Sequence, residues 1–315
     1  MNFNEDLFQL SPTDLSNHLA CRHLTELNRL VALGEIKKPG WYDPSIQILI
    51  ERGQEHEEAY VEFLKAQGLT IANLKGKTID ATLEAMQSGI NVLVQARLDF
   101  NNWMGYADIL MKVPGASKFG NWSYEVHDTK LSQNTRVATI LQLSLYTELL
   151  SIVQETAPEN MYVVKPGEDF PKDPYRFAEF HAYYRTVKEN FEQVISGSPL
   201  ETYPDPVEHC GICKWWQVCD KKRHADDHLS LVAGIRALHI MELQKQEINT
   251  LEELATAKEI KKPKRGNYET FIRKQSQAKV QLNGRIQNQV LRNYPSRKRA
   301  WTQPLAGAKR RRYLS

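Results

Sequence analysis

The chain has 315 residues, 41% hydrophobic and 25% charged, as in an ordinary globular protein, and no stretch approaches the roughly 18 apolar residues of a membrane span. The N-terminal segment has neither the basic nor the apolar region of a secretory signal, so we expect a cytoplasmic protein with no membrane partner. The net charge of +3 conceals +15 in residues 261–315 and −12 in residues 1–260, which fits either a polyanion partner or a solvated, disordered terminus.

The hydrophobic pattern predicts alternating helices and strands. A helix is expected from Ser11, as the N-cap before Pro12, to about residue 30, with Cys21 inside it. The elements that follow are a helix from Asp43 to Gly68, strands at 92–100, 103–113 and 122–131, a helix at 135–155, a strand at 160–167 and a helix at 174–196. This order predicts an α/β fold with a mixed sheet flanked by helices.

The C-terminal part predicts a small helical appendage followed by a tail. Residues 226–260 contain two short helical patterns around a turn, as in a helix-hairpin-helix unit that contacts the DNA backbone, although any helical hairpin reads similarly. Residues 261–315 are predicted to be a basic tail, partly disordered. The main domain is therefore expected at residues 1–225.

Four cysteines form a candidate metal-binding frame. Cys210, Cys213 and Cys219 make a C-x2-C-x5-C run, and Cys21 lies far upstream. In a reducing compartment such cysteines favour metal ligation over disulfides. Three clustered thiolates and one distant thiolate suit an iron–sulfur cluster. A zinc site remains an alternative, with Cys21 as an unrelated thiol and His23 and His209 as further candidate ligands.

Acidic residues in apolar strands form a candidate catalytic site. Asp108 lies inside an apolar strand, where a carboxylate is costly unless it is paired or metal-bound. Asp128 and Lys130 are two residues apart on a later strand, so they share one face. Two carboxylates on neighbouring strands can bind Mg²⁺ or Mn²⁺. Glu125 is an alternative acid, although Asp128 has the better strand phase with Lys130.

Three residues on helices are candidates to complete the site. His56 lies on the helix before the strands and is either a helix-packing histidine or a third metal ligand, since imidazole suits Mn²⁺ better than Mg²⁺. Gln142 and Tyr146 are four residues apart and share one helix face. A buried glutamine on this face needs a partner, either a backbone group or a phosphate or water of a substrate complex.

The chain resembles the RecB-like nucleases, an iron–sulfur branch of the PD-(D/E)xK superfamily related to CRISPR-associated and AddB-type nucleases. The resemblance covers roughly residues 10–225 and rests on the order of the motifs. These are His56, Gly105-x-x-Asp108, Asp128-x-Lys130, Gln142-x-x-x-Tyr146 and the frame of Cys21, Cys210, Cys213 and Cys219.

The resemblance implies a restriction-endonuclease-like fold and specific roles for these residues. His56, Asp108 and Asp128 would bind Mg²⁺ or Mn²⁺, Lys130 would be catalytic, and Gln142 with Tyr146 would form an auxiliary motif. The four cysteines would bind a [4Fe-4S] cluster. The implied activity is hydrolysis of DNA, as an exonuclease on single-stranded ends, in repair, recombination or CRISPR adaptation. The alternative is a non-cleaving iron–sulfur module that binds DNA beside a helicase partner.

Overall fold

A six-stranded mixed sheet organises the N-terminal part of the computed structural model, which describes residues 1–40, 44–197, 199 and 201–287. The strands are β1 (Asn2–Asn4), β2 (Leu7–Gln9), β3 (Ile71–Asn73), β4 (Val92–Phe100), β5 (Trp103–Ser117), β6 (Gly120–Thr129), β7 (Asn160–Val164) and β8 (Lys172–Arg176). β1 and β2 pair separately, and β3 to β8 form the sheet in chain order. β3–β4 and β6–β7 are parallel and the other pairs are antiparallel, which confirms the predicted mixed sheet.

Helices cover both faces of this sheet. They are α1 (Pro12–Ala20), α2 (Arg22–Ala32), α3 (Pro44–Ala66), α4 (Ile79–Gln87), α5 (Val137–Gln154) and α6 (Phe177–Ser196). On one face, α1, α5 and α6 bury Leu15, Leu141 and Phe191 in the main core. On the other face, α3 buries Tyr60 and Leu64 in a smaller core. The predicted α/β fold with flanking helices is therefore confirmed.

The central helix α5 is apolar because it is enclosed. By length and composition it could cross a membrane, so the expectation that no stretch approaches a membrane span was wrong, and it alone passes that test among the described residues. However, 61% of its apolar window is buried inside the fold. A helix that is hydrophobic on most of its surface is expected at such a position in a core.

The predicted N-terminal helix is interrupted at Cys21, so the expectation of one continuous helix was wrong. Cys21 has extended backbone angles (φ −162°, ψ 110°) and separates α1 from α2. The start of α1 is as expected, because the Ser11 side chain accepts a hydrogen bond from the Asp14 N–H and the Asp14 carboxylate accepts one from the Ser11 N–H. The interruption places Cys21 at the N-terminal end of α2 rather than on a helix face.

Other element boundaries differ from the predictions in small ways. The predicted helix at 174–196 starts only at Phe177, because residues 172–176 pair with β7 as the edge strand β8. β3 and α4 are short elements that the hydrophobic pattern did not indicate. The helix predicted from Asp43 begins at Pro44 in the structure, and Asp43 lies outside the described residues.

The chain divides into two compact units, one ending at Cys219 and the other starting at Asp220. Helix α7 (Trp216–Ala225) contains this boundary. The second unit contains α8 (Ala237–Gln244), α9 (Leu251–Thr256) and α10 (Tyr268–Ile286). Leu243, Leu254 and Phe271 are fully buried in its own hydrophobic core. The predicted helical appendage is thus present as a separately cored unit.

Part of the predicted tail is an ordered helix. Within residues 261–315, α10 packs against α9 and buries Phe271 and Ala278. Its Gln275 side chain donates a 2.6 Å hydrogen bond to the Ala257 carbonyl. The basic composition concealed these few apolar positions, which recur at helical spacing. Residues 288–315 lie outside the described part of the chain.

Candidate functional site

Asp108 and Asp128 come together across two neighbouring central strands. The antiparallel register of β5 and β6 pairs Ile109 with His127, which brings the two aspartates to the next opposing position. The Asp108 Oδ2 atom accepts a 3.2 Å hydrogen bond from the Thr129 N–H and lies 3.4 Å from the Thr129 hydroxyl oxygen. The strand pairing therefore produces the predicted meeting of two carboxyl groups.

Lys130 pairs with Asp128 as strand phase predicted. The Lys130 Nζ atom is 2.7 Å from Asp128 Oδ1 and 2.6 Å from Oδ2. Only the first contact has hydrogen-bond geometry, so Oδ2 is buried without a hydrogen-bond donor among the described residues. Asp128 is 5% exposed, whereas the Lys130 side chain is 33% exposed. A buried acid thus faces a partly accessible ammonium group.

The charges of this group perturb one another. Burial raises the pKa of Asp128, the Lys130 ammonium group lowers it and the Asp108 carboxylate raises it, and together these effects bring the pKa to about 7. Burial lowers the pKa of Lys130, but the carboxylates of Asp128, Asp108 and Glu57 outweigh it and leave the pKa raised. The site therefore holds more negative charge than one ammonium group offsets, as expected for a cation-binding site.

Glu57 on α3 joins the site, and the sequence reasoning did not identify it. The Gln95 amide on β4 donates a 2.6 Å hydrogen bond to Glu57 Oε1 and lies 3.5 Å from Asp108 Oδ1. Burial raises the pKa of Glu57, and the Asp108 carboxylate adds to the effect. The available signal was helical phase, because Glu57 lies three and seven residues before Tyr60 and Leu64, the buried positions of α3.

Gln95 owes its position to an irregularity in two adjacent strands. It has a φ of 52°, in the left-handed region, where a non-glycine residue inside a strand is strained. Leu93 and Ala96 both contribute to the main core although they are three residues apart. The same holds for Ala107 and Leu110 on β5. The side-chain alternation therefore slips on both strands, at Gln95 and Asp108, and directs these two residues into the site.

His56 lies beside the site, and its side chain contacts Val164 and Phe170 rather than the carboxylates. Its Nε2 atom is 3.4 Å from the Val164 carbonyl oxygen, which also accepts a 3.0 Å hydrogen bond from the Lys130 N–H. The His56 ring stacks on Phe170, with centroids 5.6 Å apart. Among the described residues, no three His, Cys, Asp or Glu side chains are already arranged to hold a metal ion. A ligand role for His56 stays a prediction.

Tyr146 on α5 lies close enough to both aspartates for their charges to act on it. Burial raises its pKa, and the charges of Asp108 and Asp128 add to the effect. Gly105 makes this approach possible, because a Cβ atom there would lie 2.8 Å from Tyr146 Cε1 and 2.9 Å from Pro12 Cδ. The glycine of the Gly105-x-x-Asp108 motif thus has a steric reason.

Gln142 lies one turn before Tyr146 and is half-buried. Within the described part of the chain its amide has no hydrogen-bond partner. The alternative acid Glu125 is engaged elsewhere, because it accepts a 3.1 Å hydrogen bond from the Asn160 N–H at the start of β7. The geometry therefore places Asp128, and not Glu125, beside Asp108.

A cleft opens beside Glu57 and Gln95. It has a volume of about 560 Å³ and is lined largely by polar residues of α3 and of the β3 and β4 region. Lys75 lies on its wall, and its charge acts on Glu57. An extended polar ligand thus has access to the acidic group from this side.

Three of the four cysteines are close enough to influence one another. Burial raises the pKa of Cys21, hydrogen bonds from the backbone N–H groups of Leu24 and His23 oppose this, and Cys210 raises the pKa further. Burial also raises the pKa of Cys213, with Cys21 and Cys210 adding to the effect. None of these four cysteines forms a disulfide bond. The chain therefore brings Cys21 to the downstream run, although 188 residues lie between Cys21 and Cys210.

Cys219, His23 and His209 are close in sequence to the other three cysteines. Cys219 lies on the first turn of α7, and its N–H donates a 2.9 Å hydrogen bond to the carbonyl of the buried Trp215. His23 is hydrogen-bonded through Nδ1 to the Thr202 hydroxyl at 2.8 Å. Burial lowers the pKa of both His23 and His209. Neutral imidazoles are able to bind metal, so zinc ligation is still an alternative.

No protein-family model matches the chain, and no curated protein matches it. Among solved structures, the chain is similar to one titled "Crystal structure of SSO0001", with 14% sequence identity and a TM-score of 0.34. The match covers 69% of this chain and 88% of that chain. A likeness of this size carries no argument about function.

Proposed function

We propose that the chain is a metal-dependent DNA nuclease that hydrolyses phosphodiester bonds, as an exonuclease on single-stranded ends. The observation that carries the proposal is the meeting of Asp108, Asp128, Lys130 and Glu57 from two strands, the segment after β6 and a helix. Carboxylates beside one partly exposed lysine, next to an open cleft, are the groups that such hydrolysis requires. RecB-like membership and a cytoplasmic location belong to the same proposal.

The acidic group fits a hard divalent cation. The buried Asp128 Oδ2 forms an ion pair with Lys130 but accepts no hydrogen bond of good geometry among the described residues, and Asp108 and Glu57 contribute the neighbouring charges. Oxygen ligands of this kind bind Mg²⁺ or Mn²⁺, with Asp108, Asp128 and Glu57 as the residues that would hold the ion and His56 as a further predicted ligand. When bound, such an ion polarises the phosphate and lowers the pKa of a water molecule.

Four further side chains have separate proposed roles in the reaction. Lys130, held by Asp128, places a positive charge where negative charge develops on the phosphate during attack by water. Gln95 fixes the Glu57 carboxylate relative to Asp108 through its two contacts. Tyr146, buried near both aspartates on the α5 side, adds to the low-dielectric surroundings of their charges. Gln142, which has a half-buried amide, is suited to donate to a phosphate oxygen.

The four cysteines belong to the same proposal as ligands of a [4Fe-4S] cluster. The support is the juxtaposition of Cys21, Cys210 and Cys213, with Cys219 on the adjoining helix. At the position of Cys21 before α2, the backbone N–H groups of Leu24 and His23 point toward its sulfur and partly offset the effect of burial, which raises its pKa. Such a centre would join the two ends of the nuclease unit and add its binding energy to folding.

Cleavage of end-labelled single-stranded DNA in Mn²⁺ tests the proposal. Asp108→Asn and Asp128→Asn keep side-chain size and are expected to reduce cleavage at least about 100-fold. Glu125→Gln is the matched control, because Glu125 is a buried carboxylate on the same strand as Asp128 with a separate backbone partner. It should retain cleavage. Wild-type rates in both aspartate variants would contradict the proposal.

A second candidate is a DNA-binding module that does not cut and acts with a helicase. It is favoured by the net charge of +15 in residues 261–315, which suits a polyanion partner. It predicts salt-dependent binding of single-stranded DNA with no Mn²⁺-stimulated cleavage. The same cleavage assay on the wild-type chain distinguishes the two candidates.

A further inference from the structure

The second unit contains a groove of about 440 Å³ beside the outer face of α10. Its walls are formed by the loop at Ala233 and by α10 residues that include Arg273, Lys274, Ser276 and Gln277. Arg236, at the N-terminal end of α8, contributes a charge that acts on Lys274. The groove is therefore lined by two cations, two neutral hydrogen-bonding side chains and the apolar Ile272 and Val280, with Arg236 close to Lys274.

The cations of this groove are poorly neutralised. Lys274 is half-buried, and its Nζ atom is 3.4 Å from the Ala233 carbonyl oxygen, with no carboxylate partner among the described residues. Burial and the charges of Arg236 and Arg273 lower the pKa of Lys274. Arg273 has Glu269 at 3.5 Å, but both side chains are 76% exposed, so water weakens that pair. An added anion would relieve the repulsion.

The loop that holds Lys274 is fixed in place. Gly234 has a φ of 69°, and a Cβ atom there would lie 2.9 Å from Lys274 Nζ. Gln281 of α10 accepts a 2.8 Å hydrogen bond from the Ala233 N–H and donates one of 2.8 Å to the Leu231 carbonyl. The groove is thus preorganised around its ammonium group, which reduces the ordering cost of binding.

The chemistry of the groove favours a phosphodiester backbone. Arg273 and Lys274 in the groove and Arg236 beside it can each contact a phosphate, and Ser276 and Gln277 can donate to phosphate and sugar oxygens. No aromatic side chain is among its described lining residues, so it offers no stacking surface for bases and no aromatic anchor for a protein partner. From Asp220 onward the sequence has 22 Lys and Arg against nine Asp and Glu, a net charge of +13.

We propose that Arg273, Lys274 and Ser276 of the groove, together with the neighbouring Arg236, bind the phosphate backbone of a nucleic acid strand without reading its sequence. This proposal does not depend on hydrolysis at Asp108 and Asp128. It gives the second unit a function of its own, as a surface that retains the nucleic acid. The contact is electrostatic, so its affinity falls as salt rises.

The test measures binding of a fluorescent single-stranded oligonucleotide to the full chain in EDTA, where metal-dependent cleavage is absent. The groove variant is Arg236→Gln with Lys274→Gln. The matched control is Lys258→Gln with Lys262→Gln, which removes the same charge from exposed positions of the same unit. Lys258 follows Ala257, which contacts the buried side of α10 through Gln275, away from the groove.

The groove variant should make the negative slope of log K against log salt less steep by about 1.4, since each lost phosphate contact on a single strand contributes about 0.7. Near 0.1 M salt each lost contact corresponds to about fivefold weaker binding. Ser276→Glu, which places an acid at an exposed groove position, should also weaken binding. The control should lose less than about threefold in affinity.

Two results would overturn the proposal. One is an equal loss of affinity in the groove variant and the control, which would indicate general charge only. The other is displacement of the oligonucleotide by poly-glutamate of matched charge as readily as by unlabelled DNA, which would point to an acidic protein partner. Because EDTA removes cleavage from the assay, failure here leaves the nuclease proposal standing, and loss of that proposal leaves this one intact.

Discussion

Gly105→Ala is expected to destabilise the first unit and displace Tyr146. The added methyl group would lie 2.8 Å from Tyr146 Cε1, 2.9 Å from Pro12 Cδ and 3.1 Å from Pro12 Cγ. Carbon atoms prefer separations of about 3.5–4.0 Å. Neither neighbour is the end of a flexible side chain, since one is a proline ring and the other a ring packed against the core. Overpacking of this kind costs about 1–3 kcal/mol.

Urea unfolding followed by tryptophan fluorescence measures this cost. Five of the six tryptophans lie in the first unit, so the signal reports mainly on that unit. Gly53→Ala is the control, because a Cβ atom at this half-buried position of α3 would meet nothing within 4 Å. It should stabilise by about 0.5–1 kcal/mol, since alanine is the better helix former. A neutral or stabilising Gly105→Ala would refute the assigned role of the glycine.

Three further predictions concern other parts of the first unit. Gln95→Gly relieves the φ of 52° but removes both side-chain contacts, so unfolding measurements should show equal or greater stability while Mn²⁺-dependent cleavage falls about tenfold or more. Burial lowers the pKa of His18, so the unfolded state takes up a proton near pH 6.5 before the folded state does. Stability should then fall below pH 6.5 by up to about 1.4 kcal/mol per pH unit, and His18→Gln should reduce that dependence in urea titrations at several pH values. Cys210→Ser should abolish absorbance near 400 nm and lower the thermal midpoint, whereas an unchanged spectrum, or zinc alone in metal analysis, would contradict an iron–sulfur centre.

Much of the fold and the centre of the candidate site follow from local patterns. The alternation of the central strands is visible in sequence, and so is the i, i+2 relation of Asp128 and Lys130. The structure gives these two residues the expected ion pair of 2.7 Å. Asp108, which lies in an apolar strand, is opposite Asp128 because β5 and β6 pair in antiparallel register. In each case one strand period determines the outcome.

Features that depend on tertiary contacts were not predictable from these patterns. Glu57 reaches the site only because α3 packs over the sheet, and Gln95 only because two strands slip together at one position. The apolar residues on both sides of Cys21 are spaced as in a helix, so the hydrophobic periodicity did not indicate that the helix is interrupted there. Helix α10 was not predicted, because few of its residues are buried and its charged residues dominate the sequence pattern.

The central claim is that Asp108, Asp128 and Lys130 form a hydrolytic site, and Lys130→Ala tests it most directly. The measurement is the single-turnover rate of Mn²⁺-dependent cleavage of end-labelled single-stranded DNA, with binding to the same DNA measured in EDTA. The substitution should reduce the cleavage rate at least about 100-fold and leave binding within about twofold of wild type. Cleavage by Lys130→Ala at the wild-type rate, or no cleavage by the wild-type chain, would contradict the claim.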